Sequence, residues 1–460
     1  MTYARSFSSI AAMDLDGTQP NANGADLPDP DLADADLTDE AVYERVRAAQ
    51  WRARAAGRLS RRSVFRLGAG AAGLGLGTVL SALLPGAAHA SARPTAAGPI
   101  VKPLPPELFV VHGSNAETRW EAMRGQGLLT PTDRFFVRDH VSTPLIDART
   151  WRLKLWGTGL HGAPTEDRPV EFTYEDLLGM RSETLTAFIE CTGNGRGFFA
   201  SQQGQQVSGT PWKLGAIGVA RWRGVPLAAV LERAGLTRRA VDVLPRGLDP
   251  DYIDGGENLG RVRRPLPVAK ALKDVLLAYE MNGKPLPPDH GFPVRLVVPS
   301  WAGIASIKWL GDIQVADRPL YSPWNTRYYR LFGPDYPEEG SPPLTRMNVK
   351  SAFELAWDAA LAGGRAHVLH GRSWSGNGRI RRVEVSTDGG ATWRDARLHG
   401  PSLARAWTRW ELPWRPPGPG RYELLARATD ETGAVQPATV PYNTLGYLFG
   451  AVVRHPVTVT

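Results

Sequence analysis

One cysteine occurs among the 460 residues, Cys191, within the run Phe188-Ile189-Glu190-Cys191-Thr192-Gly193-Asn194-Gly195-Arg196-Gly197. A single thiol forms no intramolecular disulfide, so its role is packing, nucleophilic attack or metal ligation. Residues 185–189 are mostly apolar and predict a buried strand, and the glycines that follow allow a bulky ligand close to the backbone. A thiolate at a strand end, with Arg196 five residues on, suits a soft ligand for a heavy metal. A second polar word, Arg134-Phe135-Phe136-Val137-Arg138-Asp139-His140, follows a turn and predicts a loop on which polar groups converge.

These groups need elements to position them. The length calls for two or three domains, and 15 Trp suit packed β-rich cores and aromatic-lined sites. Alternation over 152–155 predicts a half-buried strand, and Thr173 with Asp176 three residues later predicts a capped helix start. Residues 227–234 predict a short helix that Gly235 ends. Residues 1–90 hold nine Arg and no Lys against ten Asp and Glu, so the net charge of +8 resides in the body of the protein. That balance implies an anionic ligand or an acidic partner, and without a basic helix or lysine tract it does not point to nucleic acid.

The N-terminal ninety residues read differently from the rest. Asp and Ala, Leu or Pro alternate over 26–40 without a structural period, as in a disordered acidic leader, and a short amphipathic helix is expected over 41–54. Ser60-Arg61-Arg62-Ser63-Val64-Phe65-Arg66 then precedes a Gly/Ala/Leu stretch and Ala88-His89-Ala90, which together form a twin-arginine export signal. Residues 91–106 form a Pro/Ala linker.

Further words follow in order: Gly247-Leu248-Asp249, Leu276-Leu277-Ala278-Tyr279-Glu280-Met281-Asn282-Gly283, Pro287-Pro288-Asp289-His290-Gly291-Phe292-Pro293-Val294-Arg295, and Ser306-Ile307-Lys308-Trp309-Leu310-Gly311. With the Cys191 word, this order resembles the sulfite oxidase family of molybdopterin enzymes, from about Phe135 to the C-terminus. The resemblance implies an α+β fold, a catalytic molybdopterin domain over 107–345 followed by an all-β immunoglobulin-like sandwich over 346–460. It implies molybdenum held by one molybdopterin, with Cys191 as the protein's metal ligand. By position, the cofactor contacts are Phe136, Val137, Arg138, Asp139, His140, Asp249, His290, Arg295, Ser306, Ile307 and Lys308. The family carries Asn where Asp139 stands, so an amide donor is replaced by an acceptor.

The activity implied is oxidation of sulfite to sulfate. By resemblance, the sulfite cup is Arg138, Arg196 and Arg454, planar donors for a small oxyanion. Trp212 is its wall and Tyr329 is hydrogen-bonded near the reacting oxygen. Tyr329 stands five residues after Trp324, as the family spacing has it, with Tyr328 as the other register. The tail alternates, with Val383 and Val385 on one face and Asp388-Gly389 at a hairpin turn. In the family it forms a homodimer and lends its last strand to the active site; on its own it reads equally as a plain binding module. No Cys-x-x-Cys-His or dinucleotide fingerprint is present, so electrons are expected to leave to an external acceptor such as a cytochrome. The rival readings are a molybdopterin reductase of nitrate or of an S- or N-oxide on the same fold, and a noncatalytic exported binding protein.

Overall fold

The computed structural model describes residues 45–47, 49, 52 and 99–460. The acidic leader, the twin-arginine word and the stretch behind it lie outside the described residues. Residues 45–47, 49 and 52 are helical, within the helix expected over 41–54, and Arg47 places its guanidinium 2.8 Å from Asp242.

Two five-stranded sheets carry the part of the chain before residue 346. In the first, Glu183–Glu190 pairs antiparallel with Ile217–Pro226, which pairs with Leu276–Met281; the latter also takes Lys284–Pro285 and Arg295–Val297. The second runs Leu266–Pro267, Asp242–Gly247, Leu310–Ala316, Arg152–Trp156 and Val170–Thr173, with Leu310–Ala316 parallel to Arg152–Trp156. Leu153, Phe172, Val225, Leu231, Leu296 and Ile313 fill a core shared by both sheets. The helix Tyr174–Gly179 has the expected box: Asp176 N–H donates to Thr173 Oγ1 at 3.0 Å and Thr173 N–H to Asp176 at 2.8 Å. The helix Leu227–Arg233 ends before Gly235, whose φ of 88° is the left-handed region that glycine adopts without a Cβ penalty.

A three-stranded sheet, Phe109–His112, Asn115–Thr118 and Val137–Arg138, packs beside these. It corrects the predicted linker. Residues 100–106 are docked: Ile100 and Leu104 pack on Phe109, Ala116 and Val137, and the backbone N–H groups of Val101 and Lys102 donate to Asp289 at 2.9 and 2.7 Å.

The tail holds two sheets. One orders Lys350–Phe353, His367–Trp374, Thr408–Trp414 and Arg397–His399; the other orders Ala359–Leu361, His455–Val459, Gly420–Asp430, Ile380–Ser386 and Arg394–Asp395. Leu369, Trp410 and Leu412 of the first meet Val383, Val385, Leu424 and Ala428 of the second in one core. Gly371 is required there, because a Cβ would stand 2.1 Å from the Trp410 ring. Among the described residues no helix is long and apolar enough to cross a membrane.

Candidate active site

Strand ends converge on one place. Cys191 directly follows Glu183–Glu190, Arg138 ends Val137–Arg138, Arg295 begins Arg295–Val297, Asp249 comes just after Asp242–Gly247 and Lys308 just before Leu310–Ala316. Arg138 and Arg295 are thus held within sheet ladders, and Cys191, Asp249 and Lys308 in turns directly flanking strand ends. The Cys191 turn is closed by Asn194 N–H on the Cys191 carbonyl at 2.9 Å, and Cys191 N–H donates to Ala216 O at 2.9 Å.

An inner cavity of about 730 Å³, counting its open side, is lined by Phe136, Arg138, Asp139, His140 and Cys191, by Asp249, His290 and Arg295, and by Ser306, Ile307, Lys308 and Tyr329. Its electrostatics are set by burial. Lys308 pairs with Asp139 and donates to Asp289 O at 2.7 Å. The acidic residue that stands where the family carries Asn therefore holds the cavity's lysine. Burial raises the Asp139 carboxyl above the usual range although Lys308 opposes it, and lowers Lys308 although Asp139 opposes it. Arg295 spends its guanidinium on the His290, Leu296 and Ser306 carbonyls at 3.0 to 3.2 Å, and burial brings it down to about 9. Burial lifts Asp249 to about 6. His140 and His290 both lie well below 6.5, from burial first and neighbouring cations second, so both imidazoles are neutral. Trp324 Nε1 donates to His140 Nε2 at 3.2 Å.

An outer cavity of about 1470 Å³, counting its open side, shares Arg138, Asp139, His140, Cys191 and Tyr329 with the inner one and adds Arg196 and Tyr447. Arg196 donates to Leu445 O at 2.8 Å and Thr210 O at 3.0 Å, and its guanidinium stands 5.3 Å from the Tyr447 ring centre. Gly193, Gly209 and Gly446 surround it, and a Cβ on any of them would come within 2.8 Å of Arg196. Among the described residues no side chain or carbonyl accepts from Arg138, which lines both cavities. Burial opposes its charge, but Tyr329, Cys191, Tyr447 and Asp139 outweigh that and raise its pKa. Tyr329, at φ 56° and 6% exposed, stacks on Tyr447 with ring centres 5.1 Å apart and planes 11° apart. Burial raises both phenols, Tyr447 to about 12. Tyr328 lies at the rim and donates to Asp254 instead.

Three expected residues stand elsewhere. Arg454 is 54% exposed and pairs with Glu423 at 2.9 Å, outside both cavities. The tail does reach the site, but through Leu445 and Tyr447 of the loop before its last strand. Trp212 is fully buried in the apolar cluster behind Cys191, edge-on to His112, and contributes its carbonyl to Gly197 N–H at 2.9 Å rather than a cavity wall. Val137 points its side chain away, into the cluster with Phe109, because neighbours on a strand face opposite sides and Phe136 and Arg138 take the cavity side.

Other participants went unread in the sequence. Glu190, fully buried, accepts from Asn194 Nδ2 at 2.9 Å, Lys350 Nζ at 2.8 Å and Trp374 Nε1 at 2.9 Å, tying the Cys191 turn to the tail. Its apolar strand hid it. Asp289 sat in a quoted word but carried no spacing signal for the backbone contacts it makes.

Comparison with known proteins places this architecture among molybdopterin-binding oxidoreductases. Residues 140–324 match the family model of the oxidoreductase molybdopterin binding domain, and 342–459 that of the Mo-co oxidoreductase dimerisation domain. Sulfite oxidase of Gallus gallus is 36% identical over 71% of this chain and 72% of its own length. Mitochondrial sulfite oxidase of Mus musculus is 36% identical over 73% of this chain, which spans only 62% of that protein. The crystal structure of the sulfane dehydrogenase SoxCD from Paracoccus pantotrophus superposes with a TM-score of 0.63 at 32% identity, over 74% of this chain and 83% of that one. The chain belongs to the sulfite oxidase family, and its cofactor is molybdenum with molybdopterin.

The cavity residues fit that group. His290 Nε2 and Thr192 Oγ1 line the inner cavity, are buried, and have no hydrogen-bond partner among the described residues. Buried polar atoms without partners are costly, so these two call for a polar guest. With Asp249, the neutral imidazoles and cationic Lys308 and Arg295 they offer the mixed donors and acceptors that a pterin with a phosphate needs. Cys191, 8% exposed where the cavities meet, offers the one thiol of the chain.

Proposed function

We propose that the protein oxidises sulfite to sulfate and passes the electrons to an external acceptor such as a cytochrome c. The carrying observation is the unpaired Arg138 guanidinium, which faces the same space as Cys191, Arg196 and Tyr329. When bound, the molybdenum centre supplies oxygen transfer to sulfur and takes up two electrons. Arg138 and the free edge of Arg196 hold the oxyanion charge with fixed donors already in place, which makes each contact worth more than one that must be organised in bulk water. Tyr329 remains a neutral phenol at working pH and donates a hydrogen bond to a reacting oxygen. Lys308 and Arg295 hold the cofactor's polar edge.

In this reading, Phe136, Asp139, His140, Asp249, His290, Arg295, Ser306, Ile307 and Lys308 bind the cofactor and Cys191 ligates the metal. The catalytic domain is followed by an immunoglobulin-like sandwich that forms a homodimer, and the twin-arginine word exports the folded protein. The test is whether sulfite makes the purified protein reduce cytochrome c or ferricyanide, and whether Cys191→Ser abolishes this in a folded protein. Activity retained in the variant overturns the ligand assignment. A nitrate reductase of Hordeum vulgare, 31% identical over 73% of this chain, makes nitrate reduction with a reduced dye the comparison arm.

A further inference from the structure

The cup expected to hold three guanidinium groups holds two, and they are unequal. Arg196 commits Nε and one Nη to the carbonyls of Leu445 and Thr210, which leaves it a single free edge. Arg138 alone has its whole guanidinium available among the described residues. Arg327, at the rim of the same cavity, is neutralised by Asp254 and Glu257, each at 2.9 Å. The side left open by Arg454 is occupied by Tyr447, stacked on Tyr329 and covered by Arg196. Asn443 fixes it there: Tyr447 N–H donates to Asn443 Oδ1 at 2.8 Å, and Asn443 Nδ2 donates to Tyr447 O at 3.0 Å. Outward from this pair the wall continues through Leu445 and Phe332. Among its lining residues the cavity thus sets two guanidinium groups, Arg138 and Arg196, beside an aromatic and apolar stretch of Tyr447, Leu445 and Phe332.

Sulfite is pyramidal, with a lone pair on sulfur and its charge spread over three oxygens, so it has no apolar substituent to set against the aromatic side. A sulfinate, R–SO₂⁻, has one charge on two oxygens, a lone pair on sulfur and an apolar substituent, which matches both sides at once. We propose that this site accepts organic sulfinates as substrates, with the oxygens on Arg138 and Arg196 and the substituent against the part of Tyr447 that lines the cavity and the Leu445 and Phe332 side chains beyond it, a stretch that determines that specificity. The proposal rests on the sulfur-oxyanion oxidation put forward above. The reaction balances: the sulfinate sulfur forms one new S–O bond, water supplies the oxygen and releases two protons, two electrons go to the external acceptor, and a sulfonate leaves.

The experiment follows sulfonate formation from methanesulfinate and benzenesulfinate by the molybdenum-loaded protein with ferricyanide as acceptor, beside sulfite. At least one sulfinate is expected to be turned over with a kcat/KM within about tenfold of sulfite's, a difference of one weak contact. Tyr447→Ala, which removes the aromatic wall, is expected to lower kcat/KM for the sulfinate relative to that for sulfite by at least about tenfold, whatever common loss both substrates suffer from the altered packing of Tyr329 and Arg196. Tyr447→Phe keeps the wall and is expected to restore the wild-type ratio. Sulfite turnover without any sulfonate formed overturns the proposal, as does an equal loss for both substrates in Tyr447→Ala. If neither anion is oxidised, the oxidase reading fails, and calorimetry decides the site independently. Methanesulfonate is then expected to bind more tightly than sulfate and to lose that advantage in Tyr447→Ala. Equal affinity for the two anions overturns the proposal.

Discussion

Replacing Lys350 by methionine keeps most of the apolar stem and deletes one charge from a contact that water does not reach. Lys350 Nζ lies 2.8 Å from Glu190 Oε1 and 3.0 Å from Asn194 O, with side chains 2% and 0% exposed. Breaking one partner out of a buried pair typically costs about 3–5 kcal/mol, because the other charge stays buried without compensation. Glu190 would retain Trp374 Nε1 and Asn194 Nδ2, so the lower end applies, about 3 kcal/mol. Adding Glu190→Gln removes the stranded charge while an amide oxygen still accepts from Trp374. The double variant is therefore expected to be more stable than Lys350→Met alone, by at least about 1 kcal/mol. Urea unfolding of the wild type, both singles and the double closes the cycle and reads the coupling directly. A loss below about 1 kcal/mol in Lys350→Met, or a double variant no more stable than it, would refute the argument that this ion pair holds the Cys191 turn to the tail.

Arg454→Met is expected to leave the KM for sulfite unchanged, because that side chain is half exposed and pairs with Glu423; a KM raised tenfold or more in steady-state kinetics would return Arg454 to the cup. In cofactor-free protein Asp249→Asn is expected to be stabilising at high pH. The folded state holds the Asp249 proton up to about pH 6 whereas the unfolded chain releases it near the ordinary 3.8, so the wild type loses stability as pH rises from about 4 through 6. That penalty is at most about 3 kcal/mol above pH 6, and thermal melts at pH 4 and 8 should show the advantage of the variant at pH 8 only; an advantage equal at both pH values sinks the argument.

Sequence reading located the inner cavity better than the outer one, and the reason is physical. Arg138, Cys191, Asp249, Arg295 and Lys308 were assigned from the order of words carried by the family resemblance, and they lie at or beside strand ends, where chain order maps directly onto place. Val137 was misplaced although alternation itself puts it opposite Phe136 and Arg138. The tail's contribution comes from the loop 443–447, set by an Asn443–Tyr447 clamp that leaves no periodic trace. Arg454, a cation beside a well-patterned strand, drew the tail's place in the site, which the structure gives to Leu445 and Tyr447. Residues 100–106 had the composition of a spacer, and only a buried carboxylate distant in sequence, Asp289, shows them to be docked. The tail's strands were legible from Val383, Val385, Leu424 and Ala428, which share one core as their alternation requires.

Because Leu445 supplies a carbonyl to Arg196 and Tyr447 a ring to the same cavity, the tail is not a portable module. A chimera joined at residue 346 would have to keep a backbone carbonyl at 445 and a ring at 447 in the same places to leave Arg196 as it is. An exchange that did not would change the surroundings of Arg196, so the two halves must be engineered together.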